Sequence, residues 1–151
     1  MRDFSKTRRI VIKVGTNLLT NNEGINKDRI KDIVSQIVAI RDKGHQVILV
    51  SSGAVWLGAK ALKHNSPVVY IAMRQACASI GQPILMAAYQ EEFSKHNMIC
   101  SQVLITRSVL SNRTSYKNLR TTVSTLLALG VVPIFNENDV VSTAEIGNVL
   151  G

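Results

Sequence analysis

A short segment near the start of the chain, Arg9–Asn17, limits the fold more than any other. Its residues 10–14 are almost all β-branched or apolar, a pattern typical of a strand that is covered on both faces. Lys13 interrupts this run shortly before Gly15. Because a buried ammonium group is costly unless an anion meets it, an anion at the end of this strand is one interpretation. A lysine whose stem is buried and whose ammonium group reaches the sheet edge is the other.

The residues after this strand are compatible with the first interpretation, and both interpretations stay open. Gly15 allows a close turn, and Thr16 and Asn17 add short polar groups beside it. A strand, a lysine at its carboxyl end and a glycine turn together resemble a phosphate-handling loop. The Walker A pattern itself is absent from the sequence.

Composition and charge narrow the class of protein. With 151 residues, of which 46% are hydrophobic, the chain can bury one sizeable core and is most simply one domain. Its net charge of +8 suits anionic partners such as nucleotides and carboxylates. Beyond a basic cluster at the N-terminus, the lysines and arginines are scattered over predicted helices, which is typical of solvated faces and argues against nucleic-acid binding.

The cysteines and the hydrophobic runs indicate a location. Cys77 and Cys100 lie far apart in apolar segments without a CxxC or Cys/His cluster, so we expect reduced core thiols and no disulfide or metal site. No apolar run is long enough to span a membrane, and the N-terminus lacks the apolar region of a signal peptide. The sequence therefore predicts a soluble, cytoplasmic protein without a membrane partner.

The first half of the chain predicts a βαβ unit. Asn26 is a candidate helix cap, and apolar residues recur at helical spacing from Ile30 to Ile40 until Gly44 ends the helix. Residues 47–50 form the next apolar run, a second buried strand. A strand, a helix and a strand in this order predict two parallel strands joined by a right-handed crossover.

The residues after the second strand form another small-residue turn. Ser52, Gly53 and Ala54 follow the strand directly and open a helix, so free backbone N–H groups should face the same crevice as Gly15. Ligands of open α/β sheets bind at the carboxyl ends of the strands, which favours a ligand site here. An ordinary connection in which a serine caps the helix is the alternative.

The rest of the chain predicts further helices and strands in alternation. Helices are expected over 56–62, 68–79 and 83–96, with a break at Gly81-Gln82-Pro83, and another over 116–127. Strands are expected over 103–105 and 131–135, with a polar connection over 107–113. The three histidines, His45, His64 and His96, lie at element ends among polar neighbours and are expected at the surface rather than as ligands.

A dense polar cluster, residues 136–139, follows the last of these strands, where the crevice should be. Its two carboxylates and two amides, from Asn136, Glu137, Asn138 and Asp139, could bind an ammonium group or, less directly, a Mg²⁺ ion. A solvated loop of the same composition is the alternative.

These pieces, taken in order, resemble the glutamate 5-kinase family, a branch of the amino-acid kinase superfamily. The resemblance covers Ile10 to Ile146. The segments KVG and VSSGA are typical of the superfamily, whereas MRQACASIGQ and NENDVVSTAE are more specific to the family. The matching segments are IVIKVGTNLLT, VILVSSGAVWLG, MRQACASIGQ, QVLITR, NLRTTVSTLLALGVVPIFNENDVV and STAEI.

The resemblance implies a fold, a reaction and a set of site residues. The fold would be a three-layer α/β/α sandwich with a mainly parallel sheet. The reaction would be phosphorylation of the side-chain carboxylate of L-glutamate by ATP with Mg²⁺, the first step of proline biosynthesis. It implies that Lys13, Gly15 and Thr16 contact the ATP phosphates, with Lys13 catalytic. Ser52, Gly53, Ala54, Asn138 and Asp139 would bind glutamate, and copies of the chain could associate as a homo-oligomer.

The sequence also departs from the family pattern. Relatives continue after Ile146 with a Gly-Asp-Asn-Asp turn, whereas Gly147-Asn148-Val149-Leu150-Gly151 stands here. On the resemblance, residues 1–151 are the amino-acid-substrate part of the kinase domain, and the nucleotide-binding half, with a second phosphate-binding lysine, is expected to be absent. We therefore expect residues 1–151 to be inactive by themselves.

Two other readings stay open. The chain could belong to another amino-acid kinase, acting on N-acetylglutamate, aspartate or a nucleoside monophosphate. It could also be a non-catalytic domain that binds glutamate or proline, or that pairs with a longer partner.

Overall fold

The computed structural model describes residues 6–142. Two parts of the chain discussed above, the N-terminal residues 1–5 and the segment 143–151 with its departure from the family pattern, lie outside the described residues. The helices and strands, in chain order, are β1 (Arg9–Val14), α1 (Thr16–Leu19), β2 (Thr20–Asn21), β3 (Gly24–Ile25), α2 (Lys27–Asp42), β4 (Gln46–Ser51), α3 (Ala54–Ala61), α4 (Ile71–Ser94), β5 (Cys100–Ile105), α5 (Arg107–Ser111), α6 (Arg113–Ala128) and β6 (Val132–Glu137).

Four parallel strands form the main sheet, in the order β1-β4-β6-β5. The crossovers β1 to β4 and β4 to β5 run in one direction and β5 to β6 returns, so right-handed connections place α2 and α4 on one face and α6 on the other. This confirms the predicted α/β fold with a mainly parallel sheet. The predicted βαβ unit is also confirmed, with Ile12 beside Leu49 in register and Asn26 capping α2 through a bond from the Arg29 N–H.

The core lies between the sheet and helices α2 and α4. Alternate residues of β4 point into it, and α4 supplies its largest side chains, Tyr89 and Phe93, as its sequence pattern predicted. Cys77 and Cys100 are buried, which confirms their predicted place in the core. None of the described helices is long and apolar enough to cross a membrane.

The structure corrects the prediction for β1. This strand lies at the edge of the sheet as far as residues 6–142 show, and only the face with Ile10, Ile12 and Val14 turns inward. Val11 is 62% exposed and Lys13 is exposed as well. The burial cost that suggested an anion next to Lys13 therefore does not arise among the described residues, and any anion must be argued from its surroundings.

The predicted break at Gly81-Gln82-Pro83 is wrong, because α4 runs without interruption from Ile71 to Ser94. Pro83 removes one backbone hydrogen bond, but its ring lies on the exposed side, and the buried residues on both sides hold the helix together. The helix also begins three residues later than predicted. The polar connection over 107–113 is likewise interrupted by the short helix α5.

Gly81 is a packing glycine rather than a breaker. A Cβ at Gly81 would lie 1.8 Å from the carbonyl oxygen of Ala54, and one at Gly58 would lie 1.8 Å from that of Cys77. Helices α3 and α4 therefore approach each other with backbone against backbone. This close packing fixes the start of α3, which borders the candidate site.

Candidate functional site

Two hollows meet at the carboxyl edge of the sheet. The charged cavity, of about 760 Å³, lies between the β4–α3 turn, the 64–68 connection and the end of β6. The apolar groove, of about 350 Å³, lies on the opposite sheet face beside α5. The charged cavity is lined by Thr16, Asn22, Ser52, Gly53, Ala54, Val55, Trp56, Ala59, Lys60, His64, Asn65, Ser66, Pro67, Val68, Arg74, Asn136, Glu137 and Asp139. The groove is lined by Lys13, Val14, Val50, Ser51, Ser52, Ile105, Thr106, Arg107, Leu110, Phe135, Asn136 and Glu137.

Three residues, Ser52, Asn136 and Glu137, line both hollows. We call them the shared wall. They come from the carboxyl ends of adjacent strands, β4 and β6, which pair through Leu49–Ile134 and Val50–Phe135. A ligand group that touches this wall from the charged cavity is therefore separated from the groove by only one layer of side chains.

The β4–α3 turn is built as predicted, with one difference. Ser52 is held against the end of β1, since both its N–H and its hydroxyl donate to the Val14 carbonyl at 3.2 Å. The residue that caps α3 is Gly53, at φ +111°, and no side chain caps the helix. The serine-cap alternative is therefore wrong. The first turn of α3, from Ala54 to Trp56, lines the charged cavity with its positive helix end.

Glycine is required at position 53 for conformational reasons. At φ +111° a side chain would strain the backbone, although a Cβ there would meet only ordinary contacts, the nearest being the Thr16 methyl group at 3.7 Å. The Thr16 hydroxyl in turn donates to the Ser52 hydroxyl at 3.3 Å. Thr16 therefore belongs to the charged cavity, and the structure does not bring it to the groove beside Lys13.

The polar cluster at the end of β6 is an ordered turn rather than a solvated loop. The Asn138 N–H donates to the Ile105 carbonyl at 2.8 Å, and its carbonyl accepts bonds from Val141 and Ser142. The Ser142 hydroxyl donates to the Glu137 carboxylate. Asp139 lines the charged cavity, whereas Asn138 lines neither hollow, so the structure brings only one of the two together with Ser52.

The residues predicted to contact phosphates are also not all brought together. Lys13 lines the groove together with Ser52 of the shared wall. Gly15 lines neither hollow, and its carbonyl accepts the Leu18 N–H at 3.1 Å in the first turn of α1. The phosphate contacts of these residues stay predictions.

Several site residues were not predicted. Lys60 and Arg74 bring positive charge to the charged cavity, and the Lys60 ammonium group lies 5.6 Å from the centre of the Trp56 ring. Arg107, at the first turn of α5, brings a second cation to the groove. Arg107 follows a strand end, the criterion that identified Gly15, and could have been found; Lys60 and Arg74 reach the cavity through helix packing, which the sequence does not reveal.

A buried hydrogen bond lies next to the shared wall, on the core side of Ser52. The Tyr89 hydroxyl of α4 lies 3.1 Å from the Ser51 hydroxyl, next to Ser52 in the chain. Burial raises the pKa of Tyr89 to about 12, against the opposing effect of the Ser51 hydrogen bond. Tyr89 is therefore a neutral partner of Ser51 over the physiological pH range.

The carboxylates allow only a limited metal site. Within residues 6–142, no group of three or more His, Cys, Asp or Glu side chains could hold a metal ion by itself. Mg²⁺ commonly takes one or two carboxylates and completes its shell with substrate phosphates and water. Glu137 borders the groove and could be such a carboxylate ligand. A Mg²⁺ ion that is also bound to substrate phosphates is therefore compatible with the residues present.

Comparisons with known proteins identify the family to which the chain is similar. The model of the Amino acid kinase family matches residues 8–151. The chain is 43% identical to "Glutamate 5-kinase" of Trichlorobacter lovleyi over 144 residues, and 46% identical to that of Aromatoleum aromaticum over 148. It is 40% identical to that of Thermus thermophilus over 146 residues. These alignments cover 95–97% of the chain but only 38–40% of each relative, so the chain spans about two fifths of the relatives' length.

Proposed function

The chain belongs to the amino acid kinase family, and from this premise we propose that residues 6–142 form the amino-acid-binding part of a glutamate 5-kinase. The reaction would transfer the γ-phosphoryl group of ATP to the side-chain carboxylate of L-glutamate, as the first step of proline biosynthesis in the cytoplasm. Three relatives that are 40–46% identical carry the name glutamate 5-kinase, which supports this reaction.

The observation that carries the proposal is the charge pattern of the charged cavity. It holds the cations Lys60 and Arg74 and the carboxylates Glu137 and Asp139. An amino acid with an acidic side chain presents one ammonium group and two carboxylates, so it needs both signs of charge in one cavity. A site for a nucleotide phosphate alone would need only the positive sign.

Each end of the substrate then has a partner. We assign the ammonium group to Asp139, which would distinguish glutamate from a plain diacid. The α-carboxylate goes to the cations on the helix side, Lys60 or Arg74. The side-chain carboxylate reaches Ser52 and the start of α3, where the helix end favours negative charge. Gly53 and Ala54 provide the backbone of that contact.

The chemistry places few demands on the protein. A carboxylate oxygen of glutamate attacks the γ-phosphorus, the bond from that phosphorus to the bridging oxygen breaks, and ADP leaves with the electron pair. The glutamate carboxylate is already ionised at neutral pH, so no general base is needed. The protein has to align the two reactants and offset the charge on the transferred group. Lys13, in the groove behind the shared wall, supplies a compact cation for that purpose.

The nucleotide would approach from the groove. Its lining combines apolar side chains with the cations Lys13 and Arg107, which suits phosphates beside a less polar group. A bound Mg²⁺ would offset phosphate charge, with Glu137 as the residue that could hold it. That residues 1–151 are the amino-acid-substrate part of a longer domain remains part of this proposal.

A ligand series tests the proposal on the 151-residue chain. Isothermal titration calorimetry should show binding of L-glutamate, and binding at least about tenfold weaker for glutarate, which lacks the ammonium group. Aspartate and N-acetylglutamate should also bind more weakly, because one is shorter and the other has lost its ammonium charge. Tighter binding of N-acetylglutamate, aspartate or a nucleoside monophosphate would point to another amino-acid kinase, and no binding of glutamate would contradict the proposal.

A further inference from the structure

A row of three hydrogen-bonded side-chain amides starts at Asn136 of the shared wall. Gln82 of α4 and Asn136 of β6 are only 8% and 9% exposed. The Asn136 amide nitrogen donates to the Gln82 side-chain oxygen at 2.9 Å. The Gln82 amide nitrogen donates in turn to the side-chain oxygen of Gln102, on β5, at 3.0 Å. The Gln82 and Asn136 amides are buried and would be costly without these bonds, whereas Gln102 is exposed.

One backbone N–H donor determines the orientation of all three amides. The Glu137 N–H donates to the Asn136 side-chain oxygen at 2.9 Å. A backbone N–H can only donate, so the oxygen of Asn136 must face it, and the Asn136 amide nitrogen must face Gln82. Gln82 then has to present its oxygen to Asn136 and its nitrogen to Gln102. Only one orientation of the three amides satisfies these bonds.

This orientation determines what Asn136 offers at the wall. One hydrogen of its amide nitrogen goes to Gln82, and the second hydrogen of the same planar group is left for a ligand. Asn136 borders both the charged cavity and the groove. An N–H donor at that point lies where an acceptor carboxylate would meet a phosphoryl group arriving from the Lys13 side.

We propose that Gln82 is a positioning residue, which holds the Asn136 amide so that it donates to the side-chain carboxylate of the bound amino acid. Gln82 touches no ligand itself and acts through Asn136. This inference rests on the proposed function, because it assumes that glutamate occupies the charged cavity with its side-chain carboxylate at the shared wall.

Three substitutions separate positioning from simple support of the fold. Gln82→Met keeps the length of the side chain and removes the acceptor for Asn136. Gln82→Glu keeps an acceptor oxygen toward Asn136 and should preserve its orientation. Gln102→Met is the control, because it breaks the bond at the other end of Gln82, at an exposed position, and leaves the bond to Asn136 in place.

The readouts are glutamate titration of the 151-residue chain and the ¹H–¹⁵N signals of the Asn136 side-chain amide. We expect Gln82→Met to weaken glutamate binding about tenfold or more, and Gln82→Glu and Gln102→Met to stay within about threefold of the unsubstituted chain. The Asn136 amide signals should shift on glutamate addition in the unsubstituted, Gln82→Glu and Gln102→Met chains, and lose that shift in Gln82→Met.

The results distinguish a failure of the role of Gln82 from a failure of the proposed glutamate binding. If the unsubstituted chain binds glutamate and Gln82→Met binds it equally well, Gln82 does not position Asn136 and the inference is overturned. Equal losses in Gln82→Met and Gln102→Met, in step with their melting temperatures, would show a structural role and overturn it too. If the unsubstituted chain does not bind glutamate, the proposed function fails first, and the inference fails with it.

Discussion

The charged cavity and the apolar groove share three residues, yet they surround a ligand with different chemistry. The cavity combines two cations, two carboxylates and the start of α3, which no side chain caps. The groove combines apolar side chains with Lys13 and Arg107, and Glu137 borders it from the shared wall. The cavity can thus specify an amino acid by contacts to each of its charged groups. Among the described residues, the groove has the positive charges of Lys13 and Arg107 for phosphates but few groups that could select a nucleotide base.

The largest expected effect follows from this difference. Purified residues 1–151 should form no acyl phosphate from glutamate and ATP, because the groove offers few contacts that would orient the nucleotide. Orientation accounts for about 7–11 kcal/mol of such a barrier, so the rate should fall by several orders of magnitude. The assay traps glutamyl phosphate with hydroxylamine. Glutamate-dependent hydroxamate from the untagged chain would show that the groove orients ATP after all.

The next effect concerns the packing of α4 against α3, which borders the charged cavity. Gly81→Ala should lower the free energy of unfolding by about 3 kcal/mol or more, because the new Cβ would lie 1.8 Å from the Ala54 carbonyl oxygen at the start of α3. Urea unfolding followed by circular dichroism measures it.

Gly15→Ala is the matched control for Gly81→Ala. Gly15 has φ −84° and ψ 159°, which any residue adopts, and a Cβ there would meet no atom within 4 Å. We expect a change within about 0.5 kcal/mol. Equal losses at both positions would mean that helix packing does not set the difference between them.

A third prediction concerns the groove alone. In a polypeptide that carries these residues and turns over, Lys13→Ala should lower kcat about a hundredfold or more and change the KM for glutamate little. Lys13 lines the groove and not the charged cavity, so it should act on charge that develops during transfer. Steady-state kinetics checks this. An unchanged kcat with a raised KM for glutamate would make Lys13 a substrate ligand.

The last effect concerns alkaline pH and the buried residues Tyr89 and Cys100. Burial raises the pKa of Tyr89 to about 12 and that of Cys100 to about 11, so the folded state holds both protons more tightly than the unfolded chain. Their stabilisation is complete below about pH 9 and is lost as the pH rises toward 12, by up to about 1.4 kcal/mol per pH unit for each group.

Urea titrations between pH 8 and 11.5 measure this dependence, and Tyr89→Phe is the control that removes one of the two groups. Its stability should be lower at pH 8, because the bond to Ser51 is lost, and should fall less steeply above pH 10. The same slope in both chains would contradict the burial of a protonated Tyr89.

The sequence predicted the parts of the molecule that depend on local patterns. The βαβ unit, the Asn26 cap and the glycine turn after β4 follow from hydrophobic spacing and from the preferences of single residues. The end of β6 was also predicted as part of the crevice, and Asp139 does line the charged cavity. These features need no knowledge of what lies across the fold.

The errors concern contacts between distant segments. Gly81 and Pro83 are helix breakers by local preference, but the packing of α4 on α3 and on the sheet overrides that preference. The edge position of β1 depends on strand order, which residues 10–14 alone do not carry. Thr16, which was predicted with Lys13 at the phosphates, lines the other hollow, and its phosphate contact stays a prediction.

The most direct test of the two-hollow account is glutamate titration calorimetry on Asp139→Asn and Lys13→Ala, side by side with the unsubstituted chain. The account predicts that Asp139→Asn loses about 2–4 kcal/mol of glutamate binding energy, because the partner of the ammonium group loses its charge. Lys13→Ala should bind glutamate within about threefold of the unsubstituted chain, since Lys13 lies in the groove. Equal losses in both variants, or a loss in Lys13→Ala alone, would contradict the separation of an amino-acid cavity from a phosphate groove.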